Sequence, residues 1–244
     1  MSYFKTRGIV TGVKDLGEAD RIMSILTADE GLIRATAKGV RRLKNKLAGA
    51  SQLFSYGEFQ LYPGRELYSV QSCEIFESFS RISNSPELFT YGVHLVKIAN
   101  DVATEGQNAE EVLSLLLNAL YIFNIGQKNP LLVTRIFELR ILCLSGYTPT
   151  LSNCGVCGGS STLFSAKANG CVCSNCATLL NDTFDLSKGA MLAIRHICSC
   201  DKTRLFSFDV SEEVMCDLNY FLPAYLEKCF EKKYETLDFL ELIK

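Results

Sequence analysis

Four cysteines stand in two Cys-x-x-Cys pairs, Cys154 with Cys157 and Cys173 with Cys176. A pair at this spacing folds into a tight knuckle that turns both sulfurs toward one ion. Two pairs complete a tetrahedral site with bonds of about 2.3 Å. Gly155, Gly158 and Gly159 suit such knuckles, where the backbone turns sharply and offers its N–H groups to the thiolates. Four thiolates leave no position open to water or substrate, so the expected role is structural, with zinc as the ion. A redox dithiol pair or an iron–sulfur cluster would use the same donors. Cys171 is an alternative to Cys173, although Cys171-x-Cys173 makes a poorer knuckle. Cys73, Cys143, Cys198, Cys200, Cys216 and Cys229 are expected to fill apolar positions.

A second kind of chemistry lies in the stretch from Arg34 to Lys46. It holds six cations, Arg34, Lys38, Arg41, Arg42, Lys44 and Lys46, and no acid occurs between Gly31 and Gly57. The whole chain has a formal charge of -2 and a pI of about 5.8. An acidic protein that concentrates its positive charge in one place carries the footprint of a polyanion site, because each neutralised phosphate releases condensed counterions. A solvated surface loop is the plain alternative.

Residues for catalysis are sparse. The two histidines, His94 and His196, fall on separate expected helices with no nucleophile or carboxylate motif nearby. Phosphate-loop, nucleophile-elbow and His-Glu-x-x-His patterns do not occur. Glu18 and Asp20 sit in a turn beside Arg21, where an ion pair holding the turn is expected rather than acid–base work. A binding protein fits these residues better than an enzyme. A metal-dependent nuclease or hydrolase would need an open coordination position or a carboxylate cluster.

The elements that must position these groups follow from the residue pattern. The first 80 residues read as β, with segments at about 3–13, 21–27, 31–38, 58–62 and 67–76 separated by turn signals at Asp15-Leu16-Gly17, Asp29-Glu30-Gly31 and Pro63-Gly64-Arg65. In the third, Ile33, Ala35 and Ala37 alternate with Leu32, Arg34 and Thr36, which points the small apolar set inward and Arg34 outward. The basic stretch then passes through Gly39 into a loop or short helix ending near Leu53. Five strands with a long connection after the third match the oligonucleotide- and oligosaccharide-binding (OB) barrel, whose open face and flanking loops hold single strands, and small barrels of other kinds fit the same pattern. Tyr62, on the same side as Glu58 and Gln60, either stacks on a base or covers the barrel.

From residue 81 the pattern is helical. Ser85-Pro86 opens a helix to Gly106, Asn108 a second to Gly126, and Asn129-Pro130 a third to Gly146. Further helices are expected over about 187–200 and 211–232, the last kinked or split at Pro223. The expected organisation is an OB-fold domain over 1–80 and an α-helical domain over 81–244, with the zinc module inserted at about 150–180, an α+β protein. The first 80 residues carry eleven Lys or Arg against nine Asp or Glu, and residues 151–244 nine against twelve. The N-terminal third is thus the candidate nucleic-acid face. The start lacks a signal-peptide run and no apolar stretch is long enough to span a bilayer, so no membrane is expected and the location is expected to be cytoplasmic.

The segments Gly17-Glu18-Ala19-Asp20-Arg21, Leu26 through Gly31, Ala37-Lys38-Gly39-Val40-Arg41-Arg42 and Gly64-Arg65-Glu66-Leu67, followed by the two cysteine pairs, resemble the bacterial RecO family of DNA repair and recombination proteins. The resemblance spans most of the chain in the same order. It implies an N-terminal OB fold, a helical C-terminal domain and a zinc module between its helices. It also implies a recombination mediator that binds single- and double-stranded DNA and anneals complementary strands. With RecR, such a protein helps RecA displace single-strand-binding protein (SSB), contacting the latter's C-terminal tail, which places it with the nucleoid. A zinc-ribbon adaptor between proteins, with no direct DNA role, is the competing reading.

Overall fold

The computed structural model describes residues 3–161 and 163–242. Its N-terminal part is a closed five-stranded barrel with strand order β1-β2-β3-β5-β4, formed by β1 (Phe4–Leu16), β2 (Asp20–Thr27), β3 (Leu32–Ala37), β4 (Tyr56–Tyr62) and β5 (Tyr68–Glu77). Alternation drives the closure. In β3, Ile33, Ala35 and Ala37 are buried while Arg34 is exposed, and in β4 Gly57, Phe59 and Leu61 point inward. The core adds Val10, Met23, Ile25, Val40, Ala50 and Val70. β1 is long enough to serve two neighbours, pairing with β4 through residues 4–9 and with β2 from Gly8 onward. At Gly8, where it passes between them, a Cβ would meet the Leu26 carbonyl oxygen at 2.9 Å, so the bend needs glycine. β3 and β5 close the ring in parallel, paired only at Ala35–Tyr68 and Thr36–Ser69.

The connection from Lys38 to Ser55 is a succession of turns without a helix. It is nevertheless packed, because Val40, Ala50 and Phe54 are buried. Phe54 adopts a positive φ of 68° and meets Phe89 edge-on at 5.6 Å.

Helices α1 (Ser80–Ser83), α2 (Pro86–Val102) and α3 (Glu110–Ile125) belong to the same compact unit as the barrel, which runs to residue 125. The Ser85 hydroxyl accepts from the Leu88 N–H and Pro86 takes the first helical position, as the sequence implies. At Gly92 of α2 a Cβ would meet the Phe54 ring at 2.9 Å. Gly31, with φ of +64°, lies under the connection between α2 and α3, where a Cβ would come within 2.0 Å of the Thr104 oxygen. The Gly106 and Ala109 N–H groups donate to the Glu30 and Ala28 carbonyls there. Alternation ends near residue 80, but these contacts attach three helices to the barrel.

The second unit covers 126–244. Its main helices are α4 (Pro130–Leu144), α6 (Lys188–Ser199) and α7 (Glu212–Phe230), each preceded by a side-chain cap, from Asn129, Ser187 and Ser211 respectively. A three-stranded sheet of order β7-β6-β8 lies between α4 and α6 in sequence, made by β6 (Leu163–Ser165), β7 (Gly170–Val172) and β8 (Thr183–Phe184), with a one-turn helix α5 (Ser174–Ala177). Phe164, Phe221 and Tyr225 join sheet to α7, the last two stacked at 5.3 Å. In place of a split at Pro223, α7 is one continuous span, held by buried residues on both sides of the proline: Val214, Leu218, Phe221 and Leu222 before it, Tyr225 and Leu226 after. On α4 the Arg135 guanidinium pairs with the Glu138 carboxylate at 2.6 Å, and their side chains are only 9% and 1% exposed. A 3-10 turn (Glu235–Asp238) and α8 (Phe239–Leu242) follow. Among the described residues no helix is long and apolar enough to cross a membrane.

Candidate nucleic-acid interface and metal centre

All six cations of the basic stretch are exposed. Arg34 projects from the outer face of β3, opposite Ser24. Lys38 follows the strand, and with Gly39, at φ of +66°, it starts the turns that display Arg41, Arg42, Lys44 and Lys46. The loop has a defined shape. The Asp20 carboxylate accepts from the Gly39 N–H at 2.7 Å, while Asn45 donates to the Lys38 carbonyl and accepts from the Leu47 N–H.

The cations are not equivalent. Arg41 donates to the Gly17 carbonyl at 2.9 Å and lies 3.4 Å from the Asp15 carboxylate, so it fastens the loop to the β1–β2 turn. Arg34, Lys38, Arg42, Lys44 and Lys46 enter no ion pair among the described residues. Arg21 also pairs with Asp15, at 3.0 Å, because the antiparallel register sets Asp15 directly across from it. The ion pair expected of Glu18 or Asp20 is thus made by Asp15, and Asp20 serves the loop instead. Leu43, between Arg42 and Lys44, is 97% exposed; Tyr62, at the end of β4, is also exposed, though less so than Tyr3, Phe76 or Tyr121 of the same unit.

In the second unit the Sγ atoms of Cys154, Cys157, Cys173 and Cys176 all lie within 4.8 Å of one another. The first knuckle closes through two backbone bonds of 2.8 Å, Gly158 N–H to the Cys154 carbonyl and Cys154 N–H to the Gly159 carbonyl, with Gly158 at φ of +76°. The second is the start of α5, where Cys173 is the N-cap and its sulfur accepts from the Cys176 N–H. The Gly155 N–H donates to the Cys171 carbonyl and so ties one knuckle to the other.

Backbone N–H groups of Cys157 and Cys173 hold the Cys154 thiol down to about 6, and that of Cys176 lowers Cys173. Cys176 moves the other way, to about 12, because Cys173 and Cys157 share its hydrogen and disfavour another negative charge beside them. The donor set fits a tetrahedral ion: bonds of about 2.3 Å put neighbouring sulfurs ~3.8 Å apart, and Cys157 and Cys173 stand at 3.7 Å. These four cysteines can hold a metal ion. Cys171 belongs elsewhere, buried in β7, where burial raises its thiol.

Of the cysteines expected at apolar positions, Cys216 is exposed, on the solvent side of α7. Cys73, Cys143, Cys198, Cys200 and Cys229 are half-buried. His94 is buried in α2, and His196 packs edge-on against Phe208.

An OB-type barrel with a basic connection, followed by a helical unit carrying a four-cysteine module, defines an α+β protein of the oligonucleotide-barrel class. The chain belongs to the Recombination protein O family: the model of the N-terminal part, Recombination protein O N terminal, matches residues 1–79, and that of the C-terminal part matches residues 83–238. It is 40% identical to the DNA repair protein RecO of Acetivibrio thermocellus, over 100% of this chain and 98% of that one. The RecO of Desulforamulus reducens is 29% identical over 99% and 95%, and that of Caldicellulosiruptor saccharolyticus 30% over the full length of both.

Proposed function

We propose that this protein is a DNA-binding recombination mediator in DNA repair, which binds and anneals single-stranded DNA and, with RecR, helps load RecA onto strands coated by SSB. The observation that carries the reading is the acid-free basic connection on the barrel, whose Arg34, Lys38, Arg42, Lys44 and Lys46 are exposed and free of ion pairs among the described residues. Family membership supports it, since the relatives are named DNA repair proteins.

These side chains grip phosphates without reading sequence, with Arg41 bracing the loop and contributing charge at its edge. Annealing needs no catalytic residue, because screening the repulsion between two strands and concentrating them together is enough. Double-stranded DNA meets the same cations. The partition is an OB-fold domain over 1–80 and an α-helical domain over 81–244, whose cysteine module at about 150–180 holds structural Zn2+ on Cys154, Cys157, Cys173 and Cys176. That ion ties the two knuckles together, and its loss unfolds the module before it affects phosphate contacts. RecR and the SSB C-terminal tail are the protein partners, RecA is reached indirectly, and the work is done in the cytoplasm at the nucleoid.

The test is fluorescence anisotropy of a labelled single-stranded oligonucleotide, followed by annealing of complementary strands with and without SSB. Salt-sensitive binding together with faster annealing supports the mediator. Absence of both, with capture of a protein partner that oligonucleotide fails to displace, would establish the adaptor instead.

A further inference from the structure

The sulfurs of Cys143 and Cys198 lie 3.6 Å apart, although the residues belong to different helices, α4 and α6, and are 55 positions apart in sequence. Neither takes part in the four-cysteine cluster, and both are only half-buried. Their juxtaposition is braced. Arg140, one turn before Cys143, donates from Nη1 to the carbonyls of Ile197 and Cys198, at 3.2 and 3.0 Å. One guanidinium therefore holds the end of α6 against α4 and brings positive charge to the thiols.

We propose that Cys143 and Cys198 form an oxidisable dithiol site that reacts with hydroperoxides, Cys143 as the attacking thiolate and Cys198 as the resolving thiol. This goes beyond the DNA-binding role and involves none of its residues. In the first step the Cys143 thiolate attacks one oxygen of the peroxide. An S–O bond forms, the O–O bond breaks, and the departing alkoxide or hydroxide takes a proton from water. The product is a sulfenic acid on Cys143. In the second step the Cys198 sulfur attacks the Cys143 sulfur; the S–S bond forms, the S–O bond breaks, and the hydroxyl leaves with the Cys198 proton as water. The two thiols are oxidised by two electrons in all, and the peroxide is reduced to water and an alcohol, or to two waters.

The assignment of roles follows the surroundings. Cys198 next to it, with the Thr148 hydroxyl and Arg140, holds the Cys143 thiol down to about 7 against the cost of burial. Cys198 is raised, first by Cys143 and then by burial, and so stays protonated to resolve the intermediate. The segment between the two residues contains all four cluster cysteines. The disulfide therefore closes a covalent ring that contains the four-cysteine module.

The full-length, zinc-loaded protein is treated with hydrogen peroxide, its remaining thiols are blocked with iodoacetamide, and its peptides are mapped by mass spectrometry while zinc release is followed with a chromophoric chelator. The expected product is a reductant-reversible link between the Cys143 and Cys198 peptides, with loss of two hydrogens and with zinc retained. In Cys198→Ser, dimedone should trap a sulfenic acid on Cys143. The proposal is overturned if both residues remain fully alkylated after peroxide has oxidised other thiols, or if the cluster cysteines link first and zinc leaves. It is equally overturned if a Cys198→Ser protein with native circular dichroism gives no dimedone adduct. The wild-type map decides by itself if that variant does not fold.

Discussion

Changing Arg42, Lys44 and Lys46 together to Ala removes three of the five basic-stretch cations that no carboxylate engages among the described residues, leaving Arg34 and Lys38. Arg41 is kept, because its bonds to Gly17 and Asp15 hold the loop and its removal would confuse folding with binding. Each phosphate contact on a single strand contributes roughly 0.7 to the log–log salt slope, so the slope should fall from about -3.5 to about -1.4. A fourfold rise in salt should then cost the wild type ~100-fold in affinity and the triple variant only ~7-fold. Anisotropy titrations of a fluorescent oligonucleotide over a salt series measure both slopes, with far-ultraviolet circular dichroism as the control for fold. A companion Asp15→Asn variant removes the carboxylate that Arg41 shares with Arg21; with Arg41 the more exposed of the two, the wild-type slope should steepen by up to ~0.7. Equal slopes for the wild type and the triple variant would refute the placement of phosphates on this loop.

Replacing Arg135 by Met should cost about 2–3 kcal/mol in urea unfolding, because the buried Glu138 carboxylate would lose the guanidinium that pairs with it at 2.6 Å; a loss below about 1 kcal/mol would mean that the remaining contacts of the carboxylate suffice. Gly31→Ala forces a Cβ onto the Thr104 oxygen at a positive φ and should destabilise the protein by at least ~2 kcal/mol, read as a lower thermal midpoint. Truncating the fully buried Phe54 to Ala should cost about 3–5 kcal/mol and loosen the long connection it anchors. Cys157→Ser should reduce bound zinc well below one per chain by elemental analysis and make residues 150–180 protease-sensitive, while oligonucleotide binding at low salt stays within about twofold.

The barrel could be read from sequence because β-rich runs are separated by turn residues and because β3 and β4 alternate against a single core. Arg34 between Ile33 and Ala35 is exposed for that reason. The cysteine knuckles were equally legible, as their chemistry is local and Gly158 supplies the positive φ that the turn needs. What stayed hidden depends on partners distant in the chain. Arg41 looks like any other loop cation until the hairpin register brings Asp15 round to it. Cys216 resembles the other apolar-context cysteines, yet it falls on the outer side of α7, between the buried Val214 and Leu218. Pro223 predicts a kink or a split on local grounds, and the buried Leu222 and Tyr225 on either side keep the helix from splitting. The proximity of Cys143 to Cys198 needs the packing of two helices, which no short window contains.

The ring of the barrel is uneven in strength. β1 and β2 pair from Gly8 to Leu16, whereas β3 and β5 meet only at Ala35–Tyr68 and Thr36–Ser69. Parallel pairing is the weaker kind, and a seam held by so few bonds opens at lower free energy than the strands around it. It lies near the end of β3, two residues before Lys38. In hydrogen exchange the amides at the seam should lose protection well before those of the β1–β2 hairpin. A polyanion held by Arg34 and Lys38 would bridge the same end of β3 and slow that exchange, so that occupancy of the surface is recorded in the breathing of the barrel wall.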